Sequence, residues 1–332
     1  LRAPGHERPG AEAEPPLRVL NIKRKVGRWR VVVPGGLVSI TPLECEALDL
    51  QSRCRAALKN GSGEPAIVYD GRRFSWADLE GVAADTNAAL DAASIAQGAR
   101  IGFVPRNQPS SIAALIGLLA RGASIVMIYA YQAPEAIARD IGRLELSAVV
   151  ASEADFTPEV SAVLREHQVY AVALEADSAR AVGLVRAGRV AECGPQVYFL
   201  TSGTTGPPKH VAFDYEQVGR MVDDNIVAKG AAPAAAPQLV YFPLGNIAGF
   251  RSAISAALNG REILLQDRFS FEAWRAYVRM YRPTTVALPT IALSMALEAG
   301  VPPEDFASLR VVVTGAAPLA IEVQRAFEER FG

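Results

Sequence analysis

Between Tyr198 and Lys209 the chain reads Tyr-Phe-Leu-Thr-Ser-Gly-Thr-Thr-Gly-Pro-Pro-Lys. Four hydroxyl side chains (Thr201, Ser202, Thr204, Thr205) and two glycines (Gly203, Gly206) fall within six consecutive residues, directly after an apolar run. Pro207, Pro208 and Lys209 close the string. Hydroxyl donors and backbone N–H groups exposed in a glycine turn form a concave anion site, and a lysine adds a point charge. The natural ligand of that constellation is a polyphosphate. The phosphate loop of nucleotide hydrolases is the nearest alternative and does not fit. That loop ends in Gly-Lys-Ser/Thr, with a helix opening at once behind the phosphates. Here Lys209 follows Pro208, is followed by His210, and leads into Val211-Ala212-Phe213, a strand pattern. The expectation is a strand–loop–strand hairpin that folds over phosphates without a helix dipole behind it. Residue types alone would favour an ordinary surface hairpin; the ordered string as a whole tips the balance the other way.

That string resembles the signature of the adenylate-forming superfamily: acyl- and aryl-CoA synthetases, fatty-acyl-AMP ligases, luciferases and the adenylation domains of peptide synthetases. Four further segments are similar to that family, in the family's order. They are Ala99–Pro109 (an early strand and turn), Phe242–Gly249 (the acyl-pocket motif), Arg282–Thr290 (a strand and pocket wall) and Ser308–Leu319 (the strand and turn that carry the adenine). The resemblance covers roughly residues 36 to 332.

It implies a reaction in two halves. A carboxylate attacks the α-phosphate of Mg·ATP, pyrophosphate leaves, and a thiol, CoA by this resemblance, then takes the acyl group from the adenylate. Attack at phosphorus is catalysed mainly by positioning and charge neutralisation, which suits a loop of donors with no general base. By resemblance, Thr201, Ser202, Thr204 and Thr205 donate to the β- and γ-phosphates, and Gly203 and Gly206 allow close backbone approach. Lys209 supplies charge, and Lys209 with Thr204 carries the catalytic contribution. Gly315, Ala316, Ala317 and Pro318 border the adenine, with Pro318 at the first position of a helix. Tyr241, Asn246 and Gly249 surround the acyl group. The cofactors implied are ATP, Mg²⁺ and CoA, and no metal ligand is assigned to the chain itself.

Two departures from the family stand out. His210 occupies the place where glycine usually follows the lysine, and Gly245-Asn246 replaces an aromatic–histidine pair found in many acyl- and aryl-CoA synthetases. An amide cannot change charge near neutrality as an imidazole can. No aspartate stands where amino-acid-activating domains hold the α-amine; Tyr241 and Phe242 lie there. Burying an ammonium group without a carboxylate is costly, so an uncharged acyl or aryl tail is expected. Two other readings remain open at this stage: a module that loads a carrier protein, and a truncated, non-catalytic nucleotide-binding relative.

These residues need a scaffold, and the pattern from Pro42 onward supplies one by alternating helix and strand. Helices are expected from Pro42 to Lys59 and from Ser75 to Ala96, the second with Asp78 at the capping-box position, and between them a hairpin about Asp70-Gly71. Strands at 100–104, 124–129, 147–150 and 168–173 then alternate with helices at 110–120, 134–144 and 158–166. After the donor string a second series follows: helices 214–228, 247–258, 270–281 and 290–298, with strands 238–242, 262–265, 285–288 and 310–313. This βαβα order predicts an α/β fold of two packed subdomains with largely parallel sheets, the large N-terminal domain of an adenylate-forming enzyme, truncated. Residues 1–35 are expected to be a flexible or poorly defined lead. They include the basic run Asn21–Arg30, read as a solvated linker or strand face. Residues 36–332 are expected to be an incomplete adenylation domain, with the small C-terminal domain absent and the chain inactive by itself.

Composition bounds the rest. With 332 residues, half of them hydrophobic, the chain has ample core. Its 34 basic and 35 acidic residues leave a net charge of −1, which gives no electrostatic reason for a nucleic-acid partner. Cys45, Cys54 and Cys193 form no metal-like spacing, and a cytoplasmic setting is expected. Ile112–Tyr131 approaches membrane-span length, but Arg121 at its centre would cost roughly 2.5–3.5 kcal/mol. The expectation there is a buried helix followed by a buried parallel strand, with no membrane span.

Overall fold

A computed structural model describes residues 18–21, 32–33, 36–37, 49–59, 63–182, 194–201, 209–224, 236–315 and 317–332. The chain divides into two compact units, residues 1–41 with 275–332 and residues 42–274, and each is described by itself.

The first described elements are strand β1 (Arg18–Asn21) and a ribbon of β2 (Val32–Val33) with β3 (Gly36–Leu37). Helix α1 (Leu50–Leu58) opens at Asp49, whose carboxylate accepts from the Ser52 N–H at 2.9 Å; residues 38–48, where that helix was expected to begin, lie outside the described residues. The hairpin of β4 (Pro65–Tyr69) and β5 (Arg72–Ser75) turns at Asp70-Gly71, both with positive φ (48° and 72°), as a tight two-residue turn requires. Ser75 then caps α2 (Trp76–Ala92): its hydroxyl accepts from the Asp78 N–H, and the Asp78 carboxylate accepts from the Ser75 N–H at 2.7 Å.

The α/β alternation runs as the sequence predicts, through β6 (Arg100–Val104), α3 (Pro109–Arg121), β7 (Ser124–Met127), α4 (Pro134–Arg143), β8 (Ala148–Ser152), α5 (Pro158–Glu166) and β9 (Tyr170–Leu174). A short β10 (Ala179–Ala181) precedes the hairpin β11 (Gln196–Thr201) and β12 (Lys209–Asp214). Next come α6 (Tyr215–Asp223), β13 (Gln238–Val240), α7 (Ile247–Leu258), β14 (Ile263–Leu265) and α8 (Phe271–Tyr281), in which the division between units falls. The last elements are β15 (Thr285–Pro289), α9 (Thr290–Glu298), β16 (Val311–Gly315) and α10 (Ile321–Phe331).

Among the described residues, the unit 42–274 holds two sheets. In the seven-stranded sheet, ordered β10-β9-β8-β6-β7-β11-β12, the five inner strands are parallel and both edge strands antiparallel. Alternate residues of the inner strands enter two different cores: Ile101, Phe103, Ile125, Met127 and Val150 join α2 and α3, whereas Val104, Val126, Val149 and Ala151 join α4 and α5. Burial on both faces explains the apolar stretch around 112–131, which is α3 followed by β7. Arg121 ends that helix with its guanidinium on the Asp91 carboxylate (2.5 Å) and on the Ile95 carbonyl. Among the described residues no helix is long and apolar enough to cross a membrane. The second sheet, β13-β14-β4-β5, joins late strands to the early hairpin.

The other unit carries the parallel sheet β1-β16-β15. Phe306, Phe327 and Phe331 stack beside one another, with ring centres 4.6–6.3 Å apart, in its core. Asp305 is paired with Arg275 and Arg279.

Two expectations need correction. The strands after the hairpin do not form a separate series of their own: β13 and β14 join the sheet of β4 and β5, and β15 pairs with β16, which pairs in turn with β1. Pro318 is not at the first helical position. The helix opens at Ile321, after Ala320 with extended backbone (ψ 134°), because the buried positions Phe327 and Phe331 fix the helical stretch further along the chain.

Candidate functional site

The inner strands β6, β7, β8, β9 and β11 all point the same way, so their carboxyl ends share one edge. The chain leaves β6 towards α3 on one face and leaves β7 towards α4 on the other. Neighbouring connections therefore diverge above the strand ends, the usual ligand position in open α/β sheets. Three segments meet at this edge.

The first is the donor-rich hairpin. β11 and β12 pair in register from Gln196↔Asp214 to Thr201↔Lys209, so the string is carried at the carboxyl end of β11. The two strands expected on either side of the string are therefore present and paired. Ser202, Gly203, Thr204, Thr205 and Gly206 lie outside the described residues. Lys209 is exposed at the start of β12, and His210 beside it is half-buried, its Nε2 2.9 Å from the Met127 carbonyl.

The second is the turn Phe242–Asn246, which leads from β13 into α7. Gly245 is buried over Pro105 and the Ile128 carbonyl, just past the ends of β6 and β7. Tyr241 is buried in an aromatic group with Phe242 and Phe269, ring centres 4.7 and 5.0 Å away. Asn246 is exposed. It occupies the N-cap position of α7 through its backbone, its N–H donating to the Pro243 carbonyl at 2.9 Å, and its side chain makes no cap bond. Gly249 has a packing role that the sequence did not reveal. A Cβ there would lie 2.2 Å from the Pro243 oxygen and 2.4 Å from the Phe242 oxygen, so only glycine lets the first turn of α7 fold back onto this backbone.

The third is the β6–α3 connection, whose key residue sequence reasoning missed. Asn107 is fully buried. Its amide donates to the Phe242 carbonyl (3.1 Å) and the Gln266 carbonyl (2.9 Å), while its oxygen accepts from the Leu244 N–H (3.0 Å). One side chain thus ties the ends of the two sheets to the turn. Around it, the Asn107 N–H donates to Tyr131 Oη, and Tyr69 Oη donates to the Asp267 carboxylate at 2.8 Å. Burial and Asp267 push the Tyr69 phenol up to about 12, and burial raises Tyr131, so both remain neutral donors. Arg106 forks onto the buried Asp155 carboxylate with N···O distances of 2.5–3.1 Å, which holds its guanidinium charged beside the Tyr131 ring. The signal available in the sequence was the similar segment Ala99–Pro109, without a role for its asparagine.

Gly315, Ala317 and Pro318 belong to the other unit. Gly315 is half-buried at the end of β16, Ala317 and Pro318 are exposed, and Ala316 lies outside the described residues.

A buried clasp under a turn and a hairpin at the carboxyl edge of a parallel sheet define an α/β protein of the open-sheet class, with both features where such sheets take ligands. Comparison with known proteins narrows that class. The sequence profile of the AMP-binding enzyme family matches residues 54–332, and the chain belongs to that family. The chain is similar to 4-coumarate–CoA ligase 3 of Oryza sativa subsp. japonica, 24% identical over 297 residues that cover 85% of this chain and 53% of the relative. Among solved structures, amide bond synthetase McbA from Marinactinospora thermotolerans superposes with a TM-score of 0.66 at 25% identity, over 84% of this chain and 57% of the other. ATP-bound MatB from Rhodopseudomonas palustris superposes with a TM-score of 0.68 at 16% identity, over 85% and 58%. The chain spans about half the length of the curated relative.

Proposed function

We propose that this chain supplies the ATP- and acid-holding part of an AMP-forming acid–thiol ligase. In this reading an acyl or aryl carboxylate attacks the α-phosphate of ATP, forming the acyl-adenylate and releasing pyrophosphate. The thiol of CoA then attacks the acyl carbon and AMP leaves. The observation that carries the reading is the β11–β12 hairpin, whose paired ends Thr201 and Lys209, which flank the donor string, lie at the carboxyl edge of the parallel sheet. The hydroxyls and backbone N–H groups of Thr201 to Gly206 hold the β- and γ-phosphates, with Thr204 and the Lys209 charge stabilising them as bonding changes. Gly315 to Pro318 border the adenine. The acid lies near Tyr241 and Asn246, with Gly249 shaping that wall from behind. Asn246, exposed and without a cap bond, leaves its amide free to meet the ligand. Similarity to a 4-coumarate–CoA ligase supports CoA as acceptor, and a cytoplasmic setting fits ATP and CoA as substrates.

Mg²⁺ enters this reading bound to ATP. Among the described residues no group of three or more His, Cys, Asp or Glu could hold the ion, so no step is assigned to a metal held by those residues. The test is made in the active enzyme with Lys209→Ala and Thr204→Ala. Losing a charge-assisted phosphate contact should slow pyrophosphate release about ten- to a hundred-fold, with the circular dichroism spectrum unchanged. Wild-type rates in both variants at saturating and limiting ATP would overturn the phosphate role.

A further inference from the structure

We propose that His210 is a tether that positions the phosphate-binding hairpin on the central sheet. The inference rests on the reading of that hairpin given above. Among the described residues β12 is an edge strand, paired only with β11. β11 is registered with β7 only through Val197↔Ile125 and Tyr198↔Val126. From Phe199 to Thr201, therefore, the hairpin extends past its last registered pair with the rest of the sheet. A two-stranded projection is weakly held by itself.

His210 stands at this point. It is opposite Leu200 in register, on the face that Tyr198 shares with α4 and α5. Its ring reaches across β11, and its Nε2–H donates to the Met127 carbonyl, the next residue of β7 after the last pair, at 2.9 Å. β12 and β7 are two strand spacings apart, roughly 9.5 Å. A residue without a long polar side chain cannot bridge that gap, and glycine, usual here in the resembled family, has none. Because His210 directly follows Lys209, a bond that fixes its side chain also fixes the backbone from which the lysine projects.

Three variants separate the tether from simple bulk. His210→Gly removes the ring, His210→Leu fills the space without a donor, and His210→Gln retains an N–H at similar reach. Hydrogen exchange by mass spectrometry is followed over residues 196–201 and 209–214 without nucleotide, and affinity for Mg·ATP is measured by titration. Loss of one half-buried hydrogen bond should speed exchange in β12 and weaken ATP binding about three- to ten-fold in the Gly and Leu variants, with both restored towards wild type by Gln. Unchanged exchange in both variants would overturn the tether. Faster exchange with unchanged ATP affinity would overturn its positioning role. If Lys209→Ala then also leaves ATP affinity untouched, the phosphate reading of the hairpin falls with it; if Lys209→Ala weakens binding, the failure belongs to His210 alone.

Discussion

Asn107 uses every polar group of its side chain, two donors and one acceptor, on three backbone partners from two separate segments. Such a buried amide specifies geometry because no other side chain of its size presents the same donors and acceptor. Asn107→Asp tests this with almost no change of shape. The Leu244 N–H keeps its acceptor, but the Phe242 and Gln266 carbonyls then face an oxygen. We expect a loss of about 2–4 kcal/mol in urea unfolding and a weaker response to the carboxylic acid than to ATP. A variant as stable as wild type would mean that the turn is held by its aromatic neighbours instead. At this scale the sequence was legible where residue types are chemically loud. The strand patterns on either side of the hydroxyl and glycine string announce a pair of strands, and Asp78 three residues after Ser75 announces a cap. A single asparagine between Arg106 and Gln108 announces nothing, because asparagine in a turn most often bonds its own neighbours. The close packing at Gly249 is silent in the sequence for the same reason: sequence shows that a side chain is missing but not which atoms occupy the space.

Elements were more legible than their details. The helix at 247–258 and that at 290–298 fall where the apolar spacing puts them, and most strands agree within about two residues. The reason is local: propensity, caps and periodicity act over a few residues and need no knowledge of partners. The contact between α7 and the preceding turn is of another kind. At Gly249 the helix approaches backbone atoms, which cannot rotate away as a flexible side chain can. Gly249→Ala should therefore move the helix or the turn. The alanine gain in helix propensity, about 1 kcal/mol, is expected to be outweighed by overpacking of about 1–3 kcal/mol or more. The measurements are the urea midpoint and the KM for acid against that for ATP. A stabilised protein with both KM values unchanged would show that the turn yields freely and does not shape the acid site.

At the scale of the whole molecule, sequence order is a poor guide to assembly. β1 lies in a stretch read as a lead, yet it pairs in parallel with β16 from Arg18↔Val311 to Asn21↔Thr314. Likewise β14 pairs with β4 almost two hundred residues earlier. Strands of three or four residues carry no record of which strand they will join, since ladder hydrogen bonds are the same for every sequence. What closes β1 into place is specific, however. Its outer edge would present an unpaired N–H and C=O at Val19, a liability for any edge strand. Two side chains one turn apart on α10 cover them: the Val19 N–H donates to the Glu328 carboxylate at 2.9 Å, and Gln324 donates to the Val19 carbonyl at 3.2 Å. Val19→Pro removes that N–H, which points away from β16, so the β1–β16 ladder can persist while the Glu328 contact is lost. Glu328→Ala removes the same bond from the other side. A double-mutant cycle in urea should give each single variant a loss of about 1–2 kcal/mol, with a coupling energy of about 1 kcal/mol because both delete one interaction. Strict additivity would separate the two residues energetically and leave the β16 ladder and the burial of the Val19 side chain to hold the first described strand of the chain against its last helix.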